Sequence, residues 1–132
     1  MKVLEIRKAV QTALKAVHPQ VWYERAPDAA QFPYLVFLLE NAIDEPGLER
    51  FVLDVDGWDA PADGSTVTLE QLMEAVDQAL HKRVVIADGV AFVIYRDRRF
   101  PVDDNDERIR RRKAIFELRS FEEQRGYQFN GT

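Results

Sequence analysis

Pro33-Tyr34-Leu35-Val36-Phe37-Leu38-Leu39-Glu40 is the stretch on which the fold turns. Every position from Tyr34 to Leu39 is apolar, and the run starts directly after a proline. It is too short for a globular helix, and its aromatic and branched residues favour a strand. Tyr34, Val36 and Leu38 then point to one side and Leu35, Phe37 and Leu39 to the other. An unbroken apolar run of this kind predicts a strand buried on both faces. Each face needs a cover, supplied by two layers of this chain or by this chain and a neighbour.

Upstream, Val3, Ile6, Val10, Ala13, Leu14 and Val17 fall on one helical face, and the spacing predicts a helix over 3–17. Pro19 stops it, because a residue before proline is pushed out of the helical region. Val21-Trp22-Tyr23-Glu24-Arg25 is a short strand candidate, and 26–31 a loop. Downstream, Asn41 to Glu49, with Asp44, Pro46 and Gly47, predicts a turn or small excursion. Phe51, Leu53 and Val55 alternate with Val52, Asp54 and Asp56, which predicts a strand with one dry and one wet face, antiparallel to its predecessor.

Thr68 and Gln71 have capping-box spacing, and Leu69, Leu72, Met73, Val76, Ala79 and Leu80 form the stripe of a second helix that closes on His81 and Lys82. Asp88-Gly89 between two β-rich runs predicts a hairpin. A charged loop through Arg112 and a last strand over 113–121 follow. The tail over 122–132 has no period and is expected to fray, with Tyr127 and Phe129 free to dock on a partner. The sum is a single α+β domain over 1–132: a mainly antiparallel sheet, two helices and one long charged loop. Two arrangements stay open. Both helices cover one face and a neighbouring subunit covers the other, or one helix lies on each face.

Composition excludes more than it assigns. The 132 residues suit one domain, and 46% apolar with 31% charged residues is ordinary for a globular protein. With no cysteine there is no disulfide, thiolate metal site or cysteine nucleophile. The N-terminus mixes charges into its apolar residues, unlike a signal peptide, and no segment has the length of a membrane span. A net charge of −5 disfavours nonspecific nucleic-acid binding by the whole surface. Asp54, Asp56 and Asp59 resemble half a calcium loop, but Ser65 stands where the bidentate glutamate belongs. His18 and His81 have no ligand spacing and are expected to cap helix ends. No nucleophile elbow and no phosphate-cradling glycine loop is present. The expectation is therefore no catalytic residue, no cofactor, no metal and no enzyme.

The charged stretch carries the most content. Arg96 to Lys113 holds eight basic and five acidic residues, a local excess of three positive charges in an acidic chain. One reading is an extended arm that meets phosphates or an acidic partner; the other is a solvated loop whose charges pair among themselves. The interspersed acids and the single aromatic, Phe100, favour protein contact over DNA.

With an opening helix, the Val21-Trp22-Tyr23 strand, the Phe32-Pro33-Tyr34 entry into an apolar strand, the 69–80 helix and strands about a charged loop, the chain resembles the tail-terminator and tail-completion proteins of long-tailed bacteriophages. The resemblance implies a non-enzymatic virion protein, assembled in the host cytoplasm. It implies a ring of subunits, commonly six, on the end of the tail tube, with the tube protein and a head-completion protein as partners. DNA passes through such a ring without specific binding. Contact residues are expected at Arg98, Arg99, Arg108, Arg110, Arg111 and Arg112, and at Asp44, Glu45 and Glu49. Reversing Arg110 and Arg111 is expected to weaken assembly while the fold survives. The alternatives are another neck protein, such as a head-completion or adaptor protein, and a nucleic-acid-binding module using the arginines.

Overall fold

A computed structural model describes residues 2–45 and 48–120, with side chains except those of 42–45 and 48. The elements are α1 (Lys2–Val17), β1 (Val21–Tyr23), β2 (Tyr34–Glu45), β3 (Leu48–Asp59), α2 (Val67–Leu80), β4 (Val84–Ala87), β5 (Val90–Val102) and β6 (Arg110–Ser120). They form one six-stranded sheet in the order β1-β2-β3-β6-β5-β4. Only the β1–β2 pair is parallel. The fold is the expected α+β class. The expected fraying of the tail over 122–132 and docking of Tyr127 and Phe129 concern residues outside those described.

Both helices lie on one face. Leu35, Phe37 and Leu39 of β2 are buried, as are Phe51, Leu53 and Val55 of β3, Phe116 and Leu118 of β6, and Phe92 and Ile94 of β5. All belong to one parity of the pleat, and the register aligns them: Phe37 opposite Val55, Leu53 opposite Phe116, Ile94 opposite Leu118. Ile6, Val10 and Leu14 of α1 and Leu69, Met73, Val76 and Leu80 of α2 complete the same cluster. Gly57 lets α2 come close: a Cβ there would stand 2.6 Å from Met73 Sδ and 3.1 Å from Leu69 Cδ1. The choice left open by sequence is settled, because neither helix crosses to the other side.

Four expectations about the secondary-structure elements are corrected. β2 is not buried on both faces: Tyr34, Val36 and Leu38 are only half-buried on the side without helices. The excursion after Asn41 is instead a continuation of β2 and β3, paired out to Glu45 and Leu48, with a bulge between Asn41 and Ile43. The second helix has no capping box. Its N-cap is Thr66, without a side-chain cap bond, and Ser65 Oγ accepts the Val67 N–H at 3.3 Å, so Thr68 already lies inside the helix. The long charged loop is mostly strand: β5 runs to Val102 and β6 starts at Arg110, leaving only 103–109 between them.

The Asp88-Gly89 hairpin is as expected, with φ of 53° and 75°. The histidines hold strands rather than caps. His18 Nε2 lies 2.7 Å from the Pro33 carbonyl, tying the end of α1 to the start of β2. His81 Nδ1 accepts the Arg96 N–H at 3.0 Å, on the flank of β5 where β4 has ended.

Candidate functional site

Most arginines of the 96–112 stretch face carboxylates of the chain itself. A bulge between Arg96 and Arg98 breaks the alternation of β5, so Arg96 and Arg99 both come to the helix side. There α2 offers acids at helical spacing. Arg96 Nη1 reaches Asp77 Oδ2 at 2.8 Å, Arg99 Nη2 reaches Glu74 Oε2 at 3.3 Å, and Arg112 Nε reaches Glu70. The result is a three-rung acid–arginine ladder that clamps α2 to the far half of β5 and β6.

The remaining arginines divide by place. Arg108 pairs with Asp106 at 2.7 Å on an exposed loop, and its side-chain and backbone hydrogen bonds hold the Asp106 carboxyl down to about 2. Arg110 donates to the Glu107 carbonyl at 2.6 Å and helps line a groove of about 500 Å3 with Phe32, Pro61 and Ile109. Arg98 is exposed on the helix-free face, with its guanidinium 5.4 Å from the centroid of the Phe100 ring. Of the acidic positions, Glu49 is held by Lys2 Nζ at 2.6 Å, while the side chains of Asp44 and Glu45 fall outside those described.

The helix-free face has a built corner that composition and spacing did not flag. Phe32 stacks on Tyr34 (centroids 5.2 Å), Tyr34 on Trp58 (5.8 Å), and the Arg111 guanidinium sits 3.8 Å over Trp58. Arg111 also pairs with Asp56 and lies 3.8 Å from Asp104. Burial pushes the Asp56 carboxyl up, and Arg111 only partly offsets it; burial likewise raises Tyr34. Trp22 stands one row over, because β1 aligns it with Val36, and Val36 with Asp56. Both tryptophans of the chain are therefore here. The available signal was Trp58 continuing the wet parity of Asp54 and Asp56; a tryptophan on a wet face has a partner to find.

Asp54 and Asp56 of the half calcium loop face Lys113 (3.2 Å) and Arg111, while Asp59 Oδ1 accepts the N–H of Ala60. Among the described residues no cluster of three or more His, Asp or Glu could hold a metal, and no helix is long and apolar enough to cross a membrane. The chemistry on offer is that of contact: stacked rings, paired charges and an apolar strand face.

Residues 4–121 match the family model described as tail completion protein gp17. The chain belongs to that family. No curated protein matches it by sequence. Among solved structures, this tail-completion chain is similar to one from a virion of a native gene transfer agent particle. The TM-score is 0.72 at 15% identity, covering 90% of this chain and 96% of that one. A second solved structure is similar at a TM-score of 0.62 and 18% identity, over 91% and 96% of the two chains. At these identities the likeness establishes the fold. Family membership makes the chain a phage-type tail-completion protein, the class that the Phe32-Pro33-Tyr34 layout implied.

Proposed function

We propose that this tail-completion protein is a non-enzymatic structural subunit of a phage-type virion. Copies form a ring, six being the number the family resemblance implies, on the end of the tail tube. The ring stops tube growth and presents a surface to a head-completion protein. The observation that carries this reading is the family match over nearly the whole chain. The helix-free face supports it, since half-buried aromatic and branched residues there have no covering layer among the described residues. A head-to-tail ring supplies one, by setting one patch against a different patch on the next copy. The similar fold in a gene transfer agent virion supports a virion setting, and on this reading the protein works at the head–tail interface after assembly in the host cytoplasm.

A nucleic-acid module is the weaker reading. Arg96, Arg99, Arg108, Arg111 and Arg112 already face carboxylates, so few guanidiniums are left for phosphates. DNA passage through an acidic ring needs none. Of the expected contact residues, Arg98 and Arg108 are the most exposed, and these are where tube or head contacts are proposed.

Light scattering over a concentration series, with imaging of any oligomer, tests the ring. Addition to polymerising tail-tube protein tests termination. Closed rings and tubes of limited length are expected. A chain that stays monomeric both alone and on tube ends removes the ring, and binding to a portal–adaptor assembly instead of tube moves the protein to another place in the neck.

A further inference from the structure

At the aromatic corner of the helix-free face, four side-chain polar atoms are buried without a hydrogen-bond partner among the described residues: Trp22 Nε1, Trp58 Nε1, Asp56 Oδ1 and Arg111 Nε. They sit in two adjacent cross-strand rows, Trp22–Val36–Asp56 and Tyr34–Trp58–Arg111. Buried polar groups in a finished protein are nearly always satisfied, so one protomer leaves this corner incomplete. Its residue types, two tryptophans, a tyrosine and an arginine, are those that dominate the energy of protein interfaces.

The diagonally opposite corner of the same face differs in kind. β4 is the outer strand at the other side of the sheet, and among the described residues no strand neighbours its outward backbone groups. Val84 is 49% and Ile86 69% exposed on it, while Val85 and Ala87, of the other parity, are buried under the helices. A short strand with bare aliphatics and a free edge is a docking element unless something covers it. Other stretches of edge are guarded. Tyr23 hydroxyl accepts the Leu39 N–H at 3.3 Å beyond β1, His81 takes the Arg96 N–H, and Pro101 has no N–H to offer.

Charge separates the two corners in the same sense. At and beside the aromatic corner, Glu24, Asp28, Asp56 and Asp104 stand against Arg25, Arg111 and Lys113, a slight acidic excess. Exposed Lys82 and Arg83 lead into β4, against Asp88 at its end. An acidic corner with unmet donors and a basic corner with free carbonyls complement each other. A chain that carries both halves of a contact at opposite corners joins head to tail, and such a contact closes into a ring when the rotation allows.

Resting on the ring reading above, we propose that the Trp22–Tyr34–Trp58 corner of one copy seats the β4 edge of the next copy. Val84 and Ile86 pack against the rings, and β4 carbonyls meet the unpaired donors.

Three variants test it: Ile86→Arg on the edge, Val84→Asp beside it, and Trp22→Ala in the corner, with circular dichroism to verify folding. The molar mass of each is measured alone and on purified tail tubes. Ile86→Arg is expected to raise the concentration needed for assembly about thirtyfold or more, the measure of a hot-spot contact. Trp22→Ala is expected to do the same. An equal mixture of Ile86→Arg and Trp22→Ala is expected to form pairs and stop there, because one sound corner meets one sound edge. Rising ionic strength weakens the contact. If Trp22→Ala fails to fold, Ile86→Arg and Val84→Asp carry the test, since both sites are exposed. Wild-type rings with unaffected Ile86→Arg and Val84→Asp rings overturn the contact and leave the ring reading standing. Folded single variants that are each monomeric but form no pairs when mixed also overturn it. Wild-type protein that never assembles, alone or on tubes, removes the ring reading itself.

Discussion

The two faces of the sheet are built from the same strands and obey different rules. Under the helices, Phe116 has no exposed surface and belongs to the apolar core cluster. One residue earlier, Ile115 is half-buried on the helix-free face, among Asp54–Lys113 and Arg50–Glu117 ion pairs. The covered face has an apolar centre shielded by the chain's own helices, with the acid–arginine ladder of α2 at its margin. The other alternates branched and aromatic residues with paired charges, a composition that stays in water or meets a second polar surface. The covered face specifies the protomer, and the helix-free face has surface to spare for a neighbour.

The contrast can be broken by substitution. Phe116→Ala is expected to cost the isolated protomer about 4 kcal/mol in urea denaturation, the usual penalty for removing a buried phenylalanine. Arg111→Ala is the sharpest challenge. It lies on the helix-free face but leaves Asp56 buried without its cation, and should cost about 3 kcal/mol. Its side chain is only 16% exposed and that of Asp56 11%. Reversal of Arg110 and Arg111 together therefore tests the fold as well as assembly. Gly57→Val forces α2 away from the sheet and should cost about 2 kcal/mol in the same assay. Ile115→Ala, by contrast, should cost the protomer about 1 kcal/mol or less. An Ile115→Ala cost equal to that of Phe116→Ala would erase the distinction between the faces.

The smallest effect is electrostatic. In carboxyl-detected titration, Asp56 should titrate above its ordinary value of 3.8 and Asp106 near 2. The signs are opposite. The contribution of Asp56 is favourable below pH 3.8 and is lost as pH rises through its raised folded value. That of Asp106 is present above its unfolded value and is lost as pH falls toward 2. Asp56 titrating below 3.8 would mean that the helix-free corner is wetter than its burial indicates.

Much of the fold was legible. The helical stripes from Ile6 to Leu14 and from Leu69 to Leu80, the alternation of Phe51, Leu53 and Val55, and the Asp88-Gly89 turn all reflect local period and backbone freedom. The reach of β2 and β3 past Asn41 was hidden, because Asp44, Pro46 and Gly47 are turn formers whether the turn is wide or sits at the tip of a long hairpin. The arginine stretch was read as loop for a similar reason. Its bulge between Arg96 and Arg98 breaks the two-residue period by which strands are recognised. The aromatic corner was out of reach, since Trp22, Tyr34 and Trp58 are brought together only by strand pairing.

The order of residues determined which segments are helix or strand, which side chains of each are apolar, and through the layout around Phe32-Pro33-Tyr34 the family. Tertiary structure decided that both helices share one side, that β6 enters between β3 and β5, and that α2 consumes the arginines as counter-ions. The reason is range. Periodicity and turn chemistry act between residues a few positions apart, whereas the choice of face and of charge partner is made between residues such as Glu70 and Arg112, which only the folded sheet brings into contact.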